Sequence, residues 1–301
     1  MKHQFTRMCL AILFAGLAVG AKADLQQNEE GFYLINNAAD LVAFSELVNS
    51  GEFGVNAMLT ADIDMSSVEN FTPIGCFGNG ADDKFYGIFD GQGHKISHLT
   101  INHPDKQAVG FINTGHDNTH VVVKNFWLDE TCTIIGNSQV GMIGNHNHGE
   151  ATFENLGNAG KVTGTSHTSG LLGRAWSQSG NTIDLIACWT ISEVTSTEGA
   201  GLLCGWASGS STYQLTDCWT AGILEAPTNG YVVRGPASLV FNNVWTLNGE
   251  QRGVENFLEE DLANGGLCYY INANQSQFKW YQRHWGRIPI PLRTILTVPS
   301  I

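Results

Sequence analysis

One phrase recurs along this chain and restricts its fold more than any other feature. A small or apolar residue is followed by glycine, two apolar residues and often a second glycine: VGFIN at 109–113, VGMIG at 140–144, SGLLG at 169–173 and AGLLC at 200–204. With looser copies at either end, the phrase glycines are Gly87, Gly110, Gly141, Gly170, Gly201 and Gly230, at intervals of 23, 31, 29, 31 and 29. A second phrase accompanies it: ISHLTI (96–101), VKNFWL (123–128), FENLGN (153–158), LIACWT (185–190), LTDCWT (215–220) and FNNVWT (241–246). Its intervals are 27, 30, 32, 30 and 26. Two independent phrases keeping one period mark a repeat fold, in which each unit buries its apolar face against the next.

Composition decides which repeat fold. Helical repeats need Ala, Glu, Lys and Leu at a 3.6-residue period. Residues 131–235 are instead rich in Gly, Thr, Ser, Asn and Val, with only ten charged residues. Short β-favouring runs between turn residues describe the coils of a β-solenoid, stacked at the strand spacing of about 4.8 Å. The fourth position of the second phrase reads Leu99, Phe126, Leu156, Cys188, Cys218 and Val244, apolar throughout, as a row facing the core must be. The third reads His98, Asn125, Asn155, Ala187, Asp217 and Asn243. Asn accepts the left-handed conformation at a bend, and stacked Asn side chains can hydrogen-bond along the pile. The recurring glycine then marks a recurring corner, either for a positive φ or for close approach of two coils.

The ends carry different signals. Residues 36–51 predict an amphipathic helix with Leu41, Phe44, Leu47 and Val48 on one face, a capping pair Asn37/Asp40 and a stop at Gly51. A second short helix is expected at 256–264, before Gly265-Gly266. Such elements plug the open ends of a solenoid. Lys2 and Arg7 precede a short apolar run and the small-x-small site Ala21-Lys22-Ala23, the pattern of a secretory signal cleaved near Ala23. The run is too short to span a bilayer. The expected product is secreted or at the outer surface. Without those residues 12 bases face 28 acids, net −16, a balance that excludes nucleic acid as a partner. The expected organisation is therefore a signal at 1–23, a capping segment with helix at 24–58, solenoid repeats at 59–250, a C-terminal cap at 251–282 and an atypical tail at 283–301.

The phrase Gly170-Leu171-Leu172-Gly173, together with LTADIDMS (59–66), FTPIG (71–75) and FYGIFDGQGHKISHLTI (85–101), resembles the GLUG-motif proteins. The likeness spans roughly residues 31–282 and is similar to that among secreted and surface proteins of Bacteroides-type bacteria. It implies an all-β fold, a right-handed β-helix of about six coils with an N-terminal capping helix, and an adhesin-like role. The motif also accompanies immunoglobulin-A-cleaving metallopeptidases, but their HExxH signature is absent here, so peptidase activity is not carried over. Residues 283–301 depart from the family ending, with three arginines and no acid. A shifted reading frame or a degraded terminus is the expectation, decided by whether a single-base shift in the coding DNA restores a family-like ending.

Candidate chemistry is sparse. Asn145-His146-Asn147-His148-Gly149-Glu150 invites a metal, yet it follows the glycine phrase where other copies vary, so it reads as a solvated turn. His116 and His120 read the same way. Asp62, Asp64 and Asp90 could bind calcium; alternation with Ile63 and Met65, and the Asp90-Gly91 turn, favour structural roles. No metal, cofactor or catalytic residue is assigned. A polysaccharide-acting enzyme on this scaffold needs clustered carboxylates with a base. The bases of residues 131–235, Lys161, Arg174 and Arg234, lie in different phrases of different coils. Cys188 and Cys218 share one inward position on consecutive coils, close enough for a disulfide or for two buried thiols. The fifth position of the second phrase, Thr100, Trp127, Gly157, Trp189, Trp219 and Trp245, should face outward. Trp127, Trp189, Trp219 and Trp245 are thus the candidate ligand-binding residues, a platform on which sugar rings stack. The other reading is that covering segments bury the row and the indoles stabilise the fold by stacking. The function expected is a binding or adhesion module for glycans or a host or cell surface. The alternatives are the enzyme and a purely structural surface component.

Overall fold

Inter-coil strand pairing in this protein is parallel, the arrangement that stacking of coils one period apart imposes. The computed structural model describes residues 25–78, 80, 83–247, 249–274, 280–282 and 289–291. The expected signal segment lies outside them, as does most of the tail; within the tail, Pro289–Pro291 pairs antiparallel with Trp280–Gln282.

The strands form an all-β solenoid of about six coils with three walls. The first wall is a 13-stranded sheet that includes Ile88–Ser97, His120–Leu128, Glu150–Asn158 and the shorter pieces that follow. The second is 6-stranded and contains Thr133–Val140, Lys161–Thr168 and Glu193–Ala200. The third, 4-stranded, consists of Ile112–Thr114, Ile143–Asn147, Leu172–Ser177 and Ala207–Gly209. Phe126, Leu156, Cys188, Cys218 and Val244 are at most 1% exposed and lie in one continuous core. At the N-terminal end a helix, α1 (Ala38–Asn49), lays Leu41, Phe44 and Val48 on that core. Asn37 caps it by accepting the Asp40 N–H at 3.0 Å, and Asp40 Oδ2 accepts the Asn36 N–H in return.

The corner side chains form the expected ladder. Asn125 donates to Asp90 at 3.0 Å, Asn155 to Asn125 at 3.1 Å and Asn243 to Asp217 at 2.6 Å. Ala187, with the same positive φ, interrupts it. The first copy of the second phrase is one corner out of step, however. The rung below Phe126 and Trp127 is His94 and Lys95, and Thr100 pairs with Thr133 in the second wall. A register shift between Asp90 and His94, where Gln92 and Gly93 take positive φ, absorbs the difference. Gly91-Gln92-Gly93 therefore fills the place that Asn125 fills alone.

The phrase glycines serve close approach and not a positive φ. Gly110, Gly141, Gly170 and Gly201 have ordinary φ; the left-handed residues are Ala108, Gln139 and His167 just before them. A Cβ on Gly141 would lie 2.8 Å from the Gly173 nitrogen and 2.9 Å from the Leu171 oxygen, inside contact distance of the next coil.

The NHNHGE segment is not a solvated turn. Ile143–Asn147 is a strand of the third wall buried along its whole length. His146 points inward: its Nε2–H donates to the Gly149 carbonyl at 3.4 Å and its Nδ1 accepts the Thr114 hydroxyl at 3.1 Å. Both bonds suit a neutral imidazole, and burial pushes its pKa down to about 4. The folded state therefore favours the neutral form, a stabilisation complete above the unfolded pKa near 6.5 and lost as pH falls toward 4. The shift corresponds to about 3 kcal/mol. Urea midpoints measured from pH 7 to pH 4 should fall in the wild type and fall less in His146→Gln.

The six described cysteines are free thiols. Cys188 and Cys218 each donate to a carbonyl of the preceding coil, Phe153 at 3.2 Å and Leu185 at 3.3 Å. Burial holds the Cys218 thiol well above the usual range and pushes Cys132 and Cys204 up to about 12. A thiol reagent on native protein should label Cys76, the one partly exposed cysteine among those described, and reach the other five described cysteines only after denaturation.

Candidate functional site

The tryptophan column exists, but it is sealed. Trp189, Trp219 and Trp245 occupy consecutive rungs of the first wall, and the first two stack with ring centroids 5.7 Å apart and planes 9° off parallel. They face away from the solenoid core, as strand alternation requires. Yet Trp189, Trp219 and Trp245 are only 3%, 0% and 9% exposed. Two helices cover them: α2 (Glu259–Asn264), at the site expected from sequence, and α3 (Gly266–Ala273), which follows it. Instead of plugging the end of the solenoid, this segment lays Phe257, Leu267, Cys268 and Ile271 along the outer wall, forming a second core with the indoles. Tyr270 stacks on Trp245 at 5.4 Å, and Phe257 meets Trp219 edge-on. Gly157 leaves the space that the Trp189 ring occupies. Trp127 stays half-buried at the margin of the cluster. The open sugar platform is thus replaced by the stacked and covered arrangement. The physical reason is the apolar face of the C-terminal segment, which removes these rings from water.

The candidate calcium carboxylates are engaged elsewhere. Asp62 accepts from His94 at 3.0 Å, Asp64 pairs with His98 at 2.9 Å, and Asp90 holds Asn125 and, at 3.3 Å, Lys124.

A different set of aromatic and cationic residues converges on the third wall. Leu172 pairs with Cys204 and Ala175 with Ala207, which sets Arg174 beside Trp206 on the next coil; Arg174 itself pairs with Asn145 on the coil before. Val233 bridges Cys204, so Arg234 arrives from the coil after Trp206. Its guanidinium carbon lies 4.6 Å from the centre of the Trp206 ring, and His167, from the coil before, stacks on that ring at 5.0 Å and 26°. Trp176 lies one pleat along from Arg174, half-exposed, with His148 4.6 Å from it. His148 in turn bonds Asp117 and Gln178, both at 2.7 Å.

Among the described residues, this patch differs electrostatically from the lysines, and it shares its lack of ion pairs with the exposed Arg252. The five described lysines all pair with carboxylates: Lys84 with Asp83, Lys95 with Asp129, Lys106 with Asp105, Lys124 with Asp90 and Lys161 with Glu193. Among the described residues, no carboxylate lies within ion-pair distance of Arg174 or Arg234. Arg234 Nη1, His167 Nδ1, Gln139 Oε1 and both amide atoms of Asn145 are buried without a hydrogen-bond partner among these residues. Burial, and then the charges of Arg234 and Arg174, push the His167 pKa down to about 4. Sequence reading missed this patch because its members lie in different phrases; their convergence follows once the register between coils is known.

The fold and this patch define a β-solenoid with one cationic, aromatic lateral face. No family model matches the chain, so the GLUG resemblance rests on the phrases themselves. The chain is 34% identical over 155 residues to halomucin from Haloquadratum walsbyi, a match covering 48% of this chain and 2% of that protein. A crystal structure of a protein from Bacteroides ovatus, provisionally named an immunoglobulin A1 protease, matches with TM-score 0.60 over 89% of this chain and 94% of that one. At 18% identity that likeness concerns the fold alone. No described helix is long and apolar enough to cross a membrane.

Proposed function

We propose that this protein is a secreted or cell-surface binding module of the GLUG type that engages glycans through the outer face of its third wall. One observation carries the reading. While Trp189, Trp219 and Trp245 of the first wall are covered, Trp176 and Trp206 on adjacent coils of the third wall keep part of their rings exposed, as Trp127 does, and they alone stand beside planar groups that lack hydrogen-bond partners. Half-exposed indoles next to fixed hydrogen-bonding groups suit sugar rings, which present apolar faces and hydroxyl edges together. A rigid parallel pile holds these groups in place before the ligand arrives, which limits the entropy lost on binding. The likeness to a protein named halomucin and the fold shared with the Bacteroides ovatus protein agree with a role outside the cytoplasm. In this reading residues 24–58 and 251–282 serve as the coverings of the 59–250 solenoid. The test is a glycan array probed with purified protein and with Trp176→Ala. Binding that the variant loses while its melting temperature holds supports the module; an array without signal removes it.

A polysaccharide-acting enzyme has one observation in its favour. Asp184, its pKa raised by burial, sits opposite Thr152 on the rung next to Glu150 and His120. His120 bonds Thr152 at 2.8 Å. Reducing-end release from polysaccharides, abolished in Asp184→Asn, would establish that reading.

A further inference from the structure

We propose that the Arg174–Trp206–Arg234 face takes an anionic substituent, a carboxylate or a sulfate, of an acidic saccharide. The inference rests on the glycan-binding reading above and names its ligand class. It starts from an imbalance: the chain carries a formal net charge of −13 and its described lysines are neutralised in ion pairs, whereas its three described arginines are not, and of these Arg174 and Arg234 are partly buried while Arg252 is exposed to water. A guanidinium stays charged under all ordinary conditions and presents a planar fork matched to carboxylate and sulfate oxygens. Leaving one of its N–H groups buried without an acceptor, as at Arg234 Nη1, is unfavourable unless something else supplies the oxygen.

The surroundings hold that fork in place. Trp206 is a slab with His167 on it from one coil and Arg234 from another. The guanidinium crosses a lane that exists because residue 199 is glycine; a Cβ there would stand 2.7 Å from the Arg234 Cζ. Asn145, fully buried with both amide atoms unpartnered, lies on the rung next to Arg174. Two unneutralised cations that keep part of their surface in water thus stand over buried polar atoms without partners, a face suited to a compact anion and the hydroxyls beside it. The overall acidity limits what can approach. Polyanions of high charge density are repelled, whereas one charge set among neutral hydroxyls is not. Half-exposed Trp176, next along the strand, offers an apolar surface to the ring carrying the charge.

The test titrates purified full-length protein with 3′-sialyllactose, 6-sulfolactose, neutral lactose and an acetylated aspartyl peptide by isothermal calorimetry, at low and at 0.3 M salt. The expected result is binding of the sialylated or the sulfated sugar at least tenfold tighter than lactose, weakened by salt; which of the two binds distinguishes carboxylate from sulfate. Arg174→Gln and Arg234→Gln should each lose about 10–100-fold, and Arg234→Lys, which keeps charge without the fork, about tenfold. Arg252→Gln should bind as wild type. Lactose bound as tightly as the acidic sugars leaves the glycan module standing and overturns the anionic ligand. The peptide bound as tightly, or acidic-sugar binding unchanged in both glutamine variants, overturns it as well. No binding of any sugar overturns both readings. Should the variants fail to fold, the wild type alone decides: the acidic sugar must shift the His167 ring resonances and raise its pKa, and a ring that does not respond refutes the site.

Discussion

Replacing Trp219 with alanine is expected to lower the free energy of unfolding by about 3–5 kcal/mol, the range for a large aromatic removed from a core. This indole is 0% exposed, parallel to Trp189 and edge-on to Phe257. Its loss opens a void between the first wall and α2 and α3, which rest on that wall mainly through the second core. The C-terminal segment should therefore become the most readily exchanging part of the protein. Trp176→Ala, on the third wall, is expected to cost clearly less than Trp219→Ala, because part of its ring stays in water. Equilibrium urea denaturation followed by circular dichroism separates the two. Equal costs at both positions would mean that the first-wall column is not a core at all.

The second large effect is expected at Gly173. A Cβ there would stand 2.6 Å from the Gln139 carbonyl carbon, the Gly144 oxygen and the Val140 nitrogen, all backbone atoms of the neighbouring coil. Backbone in a stacked coil cannot step aside singly, so Gly173→Ala should cost about 3 kcal/mol, the upper end for an overpacked core. Gly180→Ala is the control. Gly180 has φ +92 with nothing within 4 Å of its Cβ, so only the strain of a left-handed side chain applies, about 1 kcal/mol. Thermal melts of the two variants test whether space or torsion dictates the glycine phrase. A Gly180 variant less stable than the Gly173 variant would assign it to torsion.

How much was legible depended on whether a feature is local or set by register. Phe126, Leu156, Cys188, Cys218 and Val244 could be read as an inward row because each sits at the same place in its own phrase. The Asn125 and Asn155 ladder followed from the same period. A covered row was one of the two readings open for Trp189 and Trp219, but the covering segment could not be identified, since nothing within LIACWT or LTDCWT indicates that residues 257–271 return to that wall. The first coil was misplaced because Gly91-Gln92-Gly93 inserts residues without altering the look of the phrase. Arg174 and Arg234 seemed unrelated at a separation of two coils; the pairing of Leu172 with Cys204, and of Cys204 with Val233, brings them to one slab of indole. His146 reads as a turn residue because it follows the glycine phrase where the copies vary, and the partners that permit its burial, Thr114 and Gly149, lie on another strand or beyond a turn.

The one-coil spacing between Arg174, Trp206 and Arg234 also bears on how this lineage can change in length. Gaining or losing a whole coil near Phe126 would leave every column in register and the lateral face untouched. The same event between His167 and Arg234 would move the guanidinium a full rung, about 4.8 Å, off its indole. Insertions and deletions in descendants of this gene should therefore be tolerated in units of one coil before Asn145 and be purged from there to the C-terminal cover over Trp245, leaving a fixed ruler inside a molecule free to grow toward its first coils.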